Sequence, residues 1–379
     1  MSRRLCFLVP LMVRLMIAMT GMIGWLLAEP AMTGAVLAGG TCSVEMSESE
    51  SLGGAGFVKR LSSTCTQQER EREVVEAAAI LKAMAQGLSV ELVGVIVRGD
   101  LSLDYLPVLH DSTPVAGRAG AGPGERRGQE SVERVEQRRV RGSLTMKDSV
   151  LEGAVLHRST RGMLLFEKPV DFRGTVFQKD VDLSRSVFQE EIRLSRATFK
   201  GETYFVQGAF VKGMECQETT FGPRTRFYRS TFRGTVDCAG ALFDGMAELL
   251  EVTFEEKSVF ERARFGSGTG FSGSRFWRDA NFRDAIFSRD TYFTHCDFEG
   301  TTIFSGAQFL ATADFSEAVF RQPDDLVKAR FDVSPVVTGA RRIAAPSSAS
   351  ASQSAVGSYV VTVVCLALAV VLVVYAWKL

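Results

Sequence analysis

The sequence predicts an all-β solenoid, and three observations carry that reading. Phenylalanine returns at every eleventh residue, at Phe177, Phe188, Phe199, Phe210, Phe221, Phe232, Phe243, Phe254, Phe265, Phe276, Phe287, Phe298, Phe309 and Phe320. A second apolar position falls six residues beyond each, as at Leu183, Leu194, Phe205, Cys216 and Phe227. The residue two before each ladder Phe is small, as at Thr175, Ser186, Ala197 and Gly208, with Val252 the larger exception. Self-similarity at a fixed short period marks a repeat architecture and outranks local propensity.

An eleven-residue apolar period also fits a right-handed coiled coil. That alternative needs apolar residues three and four apart, whereas these stand five and six apart. The repeats are rich in Phe, Thr, Val and Gly, which suit strands and turns better than long helices. In an extended segment, side chains two positions apart share a face. Each eleven-residue step therefore sends a small and a large residue inward twice. That pairing fills a narrow interior without overfilling it. The fourteen Phe of the ladder are thus read as structural core, and burying each contributes roughly 1.5–3 kcal/mol.

Val170-Asp171-Phe172, Val181-Asp182-Leu183, Val236-Asp237-Cys238, Ala280-Asn281-Phe282 and Ala313-Asp314-Phe315 resemble the Ala-Asp/Asn-Leu/Phe core of the pentapeptide-repeat family. The resemblance spans residues 166–320. It implies a right-handed quadrilateral β-helix with the large residue, and the small one two before it, both inside. Half the steps here are six residues long, so four sides take about 22 residues per coil and the longer corners carry an extra residue.

The chain in order supports this architecture. Residues 1–38 combine Arg3, Arg4 and an apolar run from Leu5 to Ala28 with small residues near Ala38, and read as an export signal or an N-terminal membrane anchor. Residues 39–66 are polar and rich in Gly and Ser, hence a linker. Cys42 and Cys65 in this linker either pair as a disulfide in an oxidising compartment or remain two thiols. Residues 67–88 read as one amphipathic capping helix, with Thr66 as N-cap, acidic residues in the first turns and Gly87 past its end. A solenoid needs such a cap over its open core.

Strands follow over 89–110 and resume from 139, because Val97-Arg98-Gly99-Asp100-Leu101-Ser102-Leu103 is echoed by Val140-Arg141-Gly142-Ser143-Leu144-Thr145-Met146. Between them, 111–138 holds Pro, Gly and alternating charge with almost no apolar residue, and is expected to be a disordered insertion. The repeat solenoid runs over 139–322, and 323–358 is expected to be an end cap and flexible linker. Tyr359 to Trp377 carries no charge and is long enough to form a transmembrane helix.

The chain's 44 Lys and Arg balance 44 Asp and Glu. No excess of either sign argues for a nucleic-acid partner. His110, His157 and His295 lie far apart, and no His/Cys spacing suits a metal. Neither a phosphate-cradling Gly loop nor a nucleophile elbow occurs. Gly266-Ser267-Gly268-Thr269-Gly270 reads as a corner turn. Cys216 and Cys238 fall on adjacent coils and are expected to be two buried thiols, since ladder side chains run parallel.

These features predict a non-catalytic chain with no cofactor, metal or small-molecule substrate. It is expected to be membrane-anchored through its C-terminal helix, with the solenoid on the extracytoplasmic side (periplasmic or extracellular). There it would act as a scaffold or protein-binding module for a protein that the sequence does not name. The resemblance implies a second role, a DNA mimic that binds a type II topoisomerase through an acidic face. Residues 166–320 carry 23 acidic against 19 basic residues, too even a balance for that role.

Overall fold

The computed structural model describes residues 41–48, 56–109, 136–158 and 162–343. The expected signal or anchor, the tail linker from 344 and the apolar segment 359–377 lie outside the described residues. Among those described, no helix is long and apolar enough to cross a membrane. From Cys42 onward the described residues form one compact unit.

From Val75 onward the chain winds as a right-handed β-solenoid with four sheets, called A to D, whose strands run parallel except that Val108–Leu109 at the start of sheet D pairs antiparallel with Glu136–Val140. Sheets A, B and D have eleven strands each and sheet C has nine. Most strands are two residues long, one side chain in and one out. Val170 in sheet A leads to Val176 in B, Val181 in C and Ser186 in D, and Ile192 then lies beside Val170. One coil takes about 22 residues, and the pairs Val176↔Thr198 and Val181↔Thr203 repeat that interval.

The interior is a set of stacked ladders. All fourteen Phe from Phe177 to Phe320 are buried. Rings on successive coils stack face to face, with centroids 4.4 Å apart for Phe210–Phe232 and 5.3 Å for Phe232–Phe254. Phe265 lies 4.8 Å from both Phe243 and Phe287. The small residues close the remaining space, with Ala197, Ala241, Ala285 and Ala307 fully covered.

The five-residue steps are tight turns. The amide of Ala197 donates to the carbonyl of Leu194 at 2.8 Å, and that of Ala285 to Phe282 at 3.1 Å. The third residue of each turn is left-handed, as at Arg196 with φ 61° and Asp284 with φ 55°. The six-residue steps carry the extra residue at the other two corners.

The N-terminal end departs from the sequence reading in three places. Residues 39–66 are no linker throughout, because β1 (Val44–Glu48) and β2 (Gly56–Leu61) pair antiparallel, and β2 then pairs parallel with β4 (Ser89–Val93). The alternation in Gly-Phe-Val-Lys-Arg-Leu extends sheet A by two strands. The single capping helix is two, α1 (Gln67–Arg72) and α2 (Ala77–Ala85), separated by β3 (Val75–Glu76). Val75 takes the first rung of sheet B beside Val97, which ends α1. Thr66 caps α1 in a reciprocal box with Glu69. The insertion is also shorter than 111–138, since Glu136–Val140 is a strand of sheet D paired with Gly162–Phe166.

At the other end the repeat does not stop at Phe320. Arg330-Phe331 extends sheet B and Arg341-Arg342 extends sheet D, while single bridges join Thr302 to Asp324 and Asp314 to Val336. Phe331 stacks 4.9 Å from Phe309 and continues the same ladder. Residues 323–343 are thus a last coil.

Candidate functional site

A solenoid filled by its own side chains can act only through its outer surface and its ends. From Asp171 to Glu248, the outward residues of sheets A and C are mostly charged. Sheet A presents Asp171, Arg193, Glu215 and Asp237 in turn, and sheet C presents Asp182, Tyr204, Arg226 and Glu248. Over the same coils the outward rungs of B and D are uncharged: Val176, Thr198, Thr220 and Leu242 on B, and Val187, Ala209, Thr231 and Thr253 on D. There the rod alternates charged and neutral sides.

The charged sides neutralise themselves between coils. Arg193 reaches Glu215 at 3.5 Å, Arg226 pairs with Glu248, and Arg229 meets Glu251 at 2.6 Å. Asp171 sits between Lys147 at 3.2 Å and Arg173 at 2.7 Å. Burial pushes its carboxyl up, but hydrogen bonds from Arg173 and Lys147 outweigh that and hold it below the usual range. Burial, aided by neighbouring Glu191, raises Glu215. Neither sheet A nor sheet C offers an acidic stripe.

A second cluster lies at the corner between sheets C and D in the first coils. His157 is 1% exposed and occupies the inward position where later coils carry Leu183 and Phe205. Its Nδ1 lies 2.9 Å from Asp104, whose other oxygen accepts from the Arg158 amide. Arg138 is buried beside it and donates to the Asp104 carbonyl at 3.1 Å. His157 Nε2 is buried without a partner. Burial lowers the imidazole pKa, against the pull of Asp104. Along the chain His157 is an isolated histidine, and the signal that places it is its phase in the repeat, two residues after Val155.

Among the described residues, the cysteines divide into two pairs and one thiol. Cys42 and Cys65 form a disulfide that ties the start of β1 to the residues after β2. Cys216 and Cys238 are also joined, in place of the two thiols expected, because adjacent rungs bring their Cα atoms within 4.5 Å. Cys296 is a buried thiol whose pKa burial raises.

At the C-terminal end the core opens into a cavity of about 180 Å³ lined by Phe315, Phe320, Leu326, Val337, Ala340 and Arg342. The Arg342 guanidinium lies 5.8 Å over the Phe320 ring and pairs with Asp324 at 2.7 Å. Among the described residues, no group of His, Cys, Asp and Glu is arranged to hold a metal.

Four parallel sheets, a core of stacked large and small residues, and tight turns every eleven residues define a right-handed four-sided β-solenoid. A family model described as pentapeptide repeats (9 copies) matches residues 165–207, 249–297 and 285–330. Those segments carry pentapeptide repeats. No curated protein and no solved structure matches the chain.

Proposed function

We propose that this chain is a non-catalytic scaffold or protein-binding module that offers the sides of its solenoid to a protein partner. Residues 359–377 anchor it in a membrane, with the solenoid on the extracytoplasmic side. The observation that carries the location is the pair of disulfides, Cys42–Cys65 and Cys216–Cys238, which fit an oxidising compartment better than a reducing one. A filled interior and self-paired surface charges favour a binding rod over an enzyme. Acidic, basic and neutral residues are mixed along sheets A and C, which disfavours a DNA mimic, since that role needs a continuous acidic face.

Membrane fractionation combined with protease access and thiol labelling tests this reading. Solenoid cleaved from outside intact cells, with Cys42 and Cys65 closed to labelling, is the expected result. Deleting Tyr359 to Leu379 should move the protein from the membrane to the soluble exported fraction. Truncated protein found intact in the cytoplasm with labelled thiols would refute the location.

A further inference from the structure

The left-handed turn residues carry an order that neither the Phe ladder nor the family match explains. They recur at every eleven-residue step, but their chemistry recurs only at every third step. Glycine stands at 174, 240, 273, 306 and 339, with Gln207 the exception. An acid stands at Glu218, Glu251, Asp284 and Glu317, with Arg185 in the corresponding earlier place. A base stands at Arg196, Arg229, Arg262 and His295. Outward strand positions follow the same cycle, with Asp182, Glu215, Glu248, Asn281 and Asp314 each three steps apart.

We propose that the sequence unit of this chain is three eleven-residue steps, one and a half coils, and that the charge order it sets along the turn corners selects a coil of two steps over one of three. The phase of the core does not by itself make that choice. A coil of either length would stack Phe on Phe and small residue on small residue, because both are whole numbers of steps. The corners do discriminate. In the two-step coil each base is followed on the next coil by an acid: Arg196 by Glu218, Arg229 by Glu251, Arg262 by Asp284, His295 by Glu317. The Arg229–Glu251 pair is closed at 2.6 Å. In a three-step coil the same residues would stack like on like at roughly 4.8 Å, which is repulsive.

The third member of the cycle fits the same account. Each acid is followed one coil later by glycine. A Cβ at Gly306 would collide with the Asp284 carboxylate, and one at Gly339 with that of Glu317. At Gly273 it would come within 3.3 Å of the Glu251 Cγ. The acid's side chain thus lies against the glycine of the next coil, and a larger residue there would make it swing aside. Glycine is the residue at ease in the left-handed region. The acidic and basic residues of the cycle nonetheless hold φ between 54° and 61°. A corner selected for conformational ease alone would be glycine throughout, so the charges are kept at a conformational cost.

Because three steps make one whole coil and a half, successive units place matching side chains on opposite corners. Two opposite edges of the rod therefore carry the same order of base, acid and glycine.

The test compares the full-length protein with Glu218→Arg/Glu251→Arg, which sets Arg on Arg between coils, and with Glu218→Gln/Glu251→Gln as the neutral reference. Thermal midpoints are read at low and high NaCl, where screening removes interactions between exposed charges. The arginine variant should melt about 2–4 °C below the glutamine variant at low salt and approach it at high salt. The wild type should melt above the glutamine variant at low salt and lose that margin at high salt. If all three proteins respond to salt alike, the charge order does not select the coil. Should the arginine variant fold at no salt concentration, the wild type against the glutamine variant still decides. A margin that salt leaves unchanged overturns the proposal.

Discussion

The first coils and the later ones use the same four-sided frame with different interiors. Before Phe166 the ladders are aliphatic, built from Val90, Val97, Leu103, Leu144 and Leu151, and they admit His157. There the coil length varies, since Val97 pairs with Leu151 and Leu151 with Phe177, two intervals of very unequal length. From Phe166 the pairing settles into two-step coils and the ladder is aromatic. The additional residues of these long coils fall between their sheet C strand and their long sheet D strand, between Leu109 and Glu136 in one coil and between Arg158 and Gly162 in the next. In the later coils the corner between those sheets is closed by the turn bond from Ser230 to Phe227, or Ser274 to Phe271, and by its left-handed residue. A tight turn with an internal hydrogen bond has no room for an inserted residue. Regularity in this solenoid is thus enforced at the corners as well as in the core.

The contrast breaks most sharply in the aromatic half. Phe232→Asp buries a charge with no partner inside a closed ladder, a cost of several kcal/mol or more. The solenoid should lose its β-structure by circular dichroism, whereas Arg233→Asp on the exposed surface should leave the spectrum unchanged. A folded Phe232→Asp protein would mean that the ladder is not what holds the coils.

Within that half, Phe265→Ala should cost about 3–5 kcal/mol in denaturant unfolding. Combined with Phe287→Ala, whose ring stacks at 4.8 Å, the loss should be non-additive, because residues in contact couple. Combined with Phe298→Ala, which is no rung neighbour, the losses should add. The reverse pattern would contradict the two-step coil.

The smallest effect concerns the aliphatic half. Burial lowers the folded pKa of His157, so the unfolded chain binds the proton more readily. The stability this group contributes is complete above its ordinary value of 6.5 and is lost as pH falls through the lowered folded value. The slope is at most about 1.4 kcal/mol per pH unit. Asp104, Arg138 and Asp182 face the ring, and Asp104 opposes the shift. Amide exchange in strands 96–102 and 150–156 should accelerate on acidification while the Phe coils stay protected. His157→Leu should abolish that difference, and acid sensitivity that survives the substitution would assign it elsewhere.

Much of this was legible in the residues. The Phe period places every core ring, and its continuation to Phe331 is there to be counted. The first coils are harder, since Val, Leu and Met in a two-residue strand give no period strong enough to set phase. That is why His157 looks isolated along the chain and Val75-Glu76 looks helical. For the outer surface, residue identities alone say which positions are charged, and the pairing needs the coil length.

By itself, the sequence determined a strand-based solenoid whose large and small inward residues repeat every eleven positions, because that period is carried by the side chains that must be buried. With the 22-residue coil that its family resemblance implies, it also placed Phe265 between Phe243 and Phe287 and Cys216 beside Cys238. Tertiary structure alone decided what the coil length leaves open: the bond between Cys216 and Cys238, Arg229 closed on Glu251, and His157 against Asp104. The physical reason is that burial and the stacking of a regular ladder follow from a period that can be read along the chain, whereas ion pairing, disulfide bonding and contacts in the irregular first coils depend on where individual side chains come within a few ångströms.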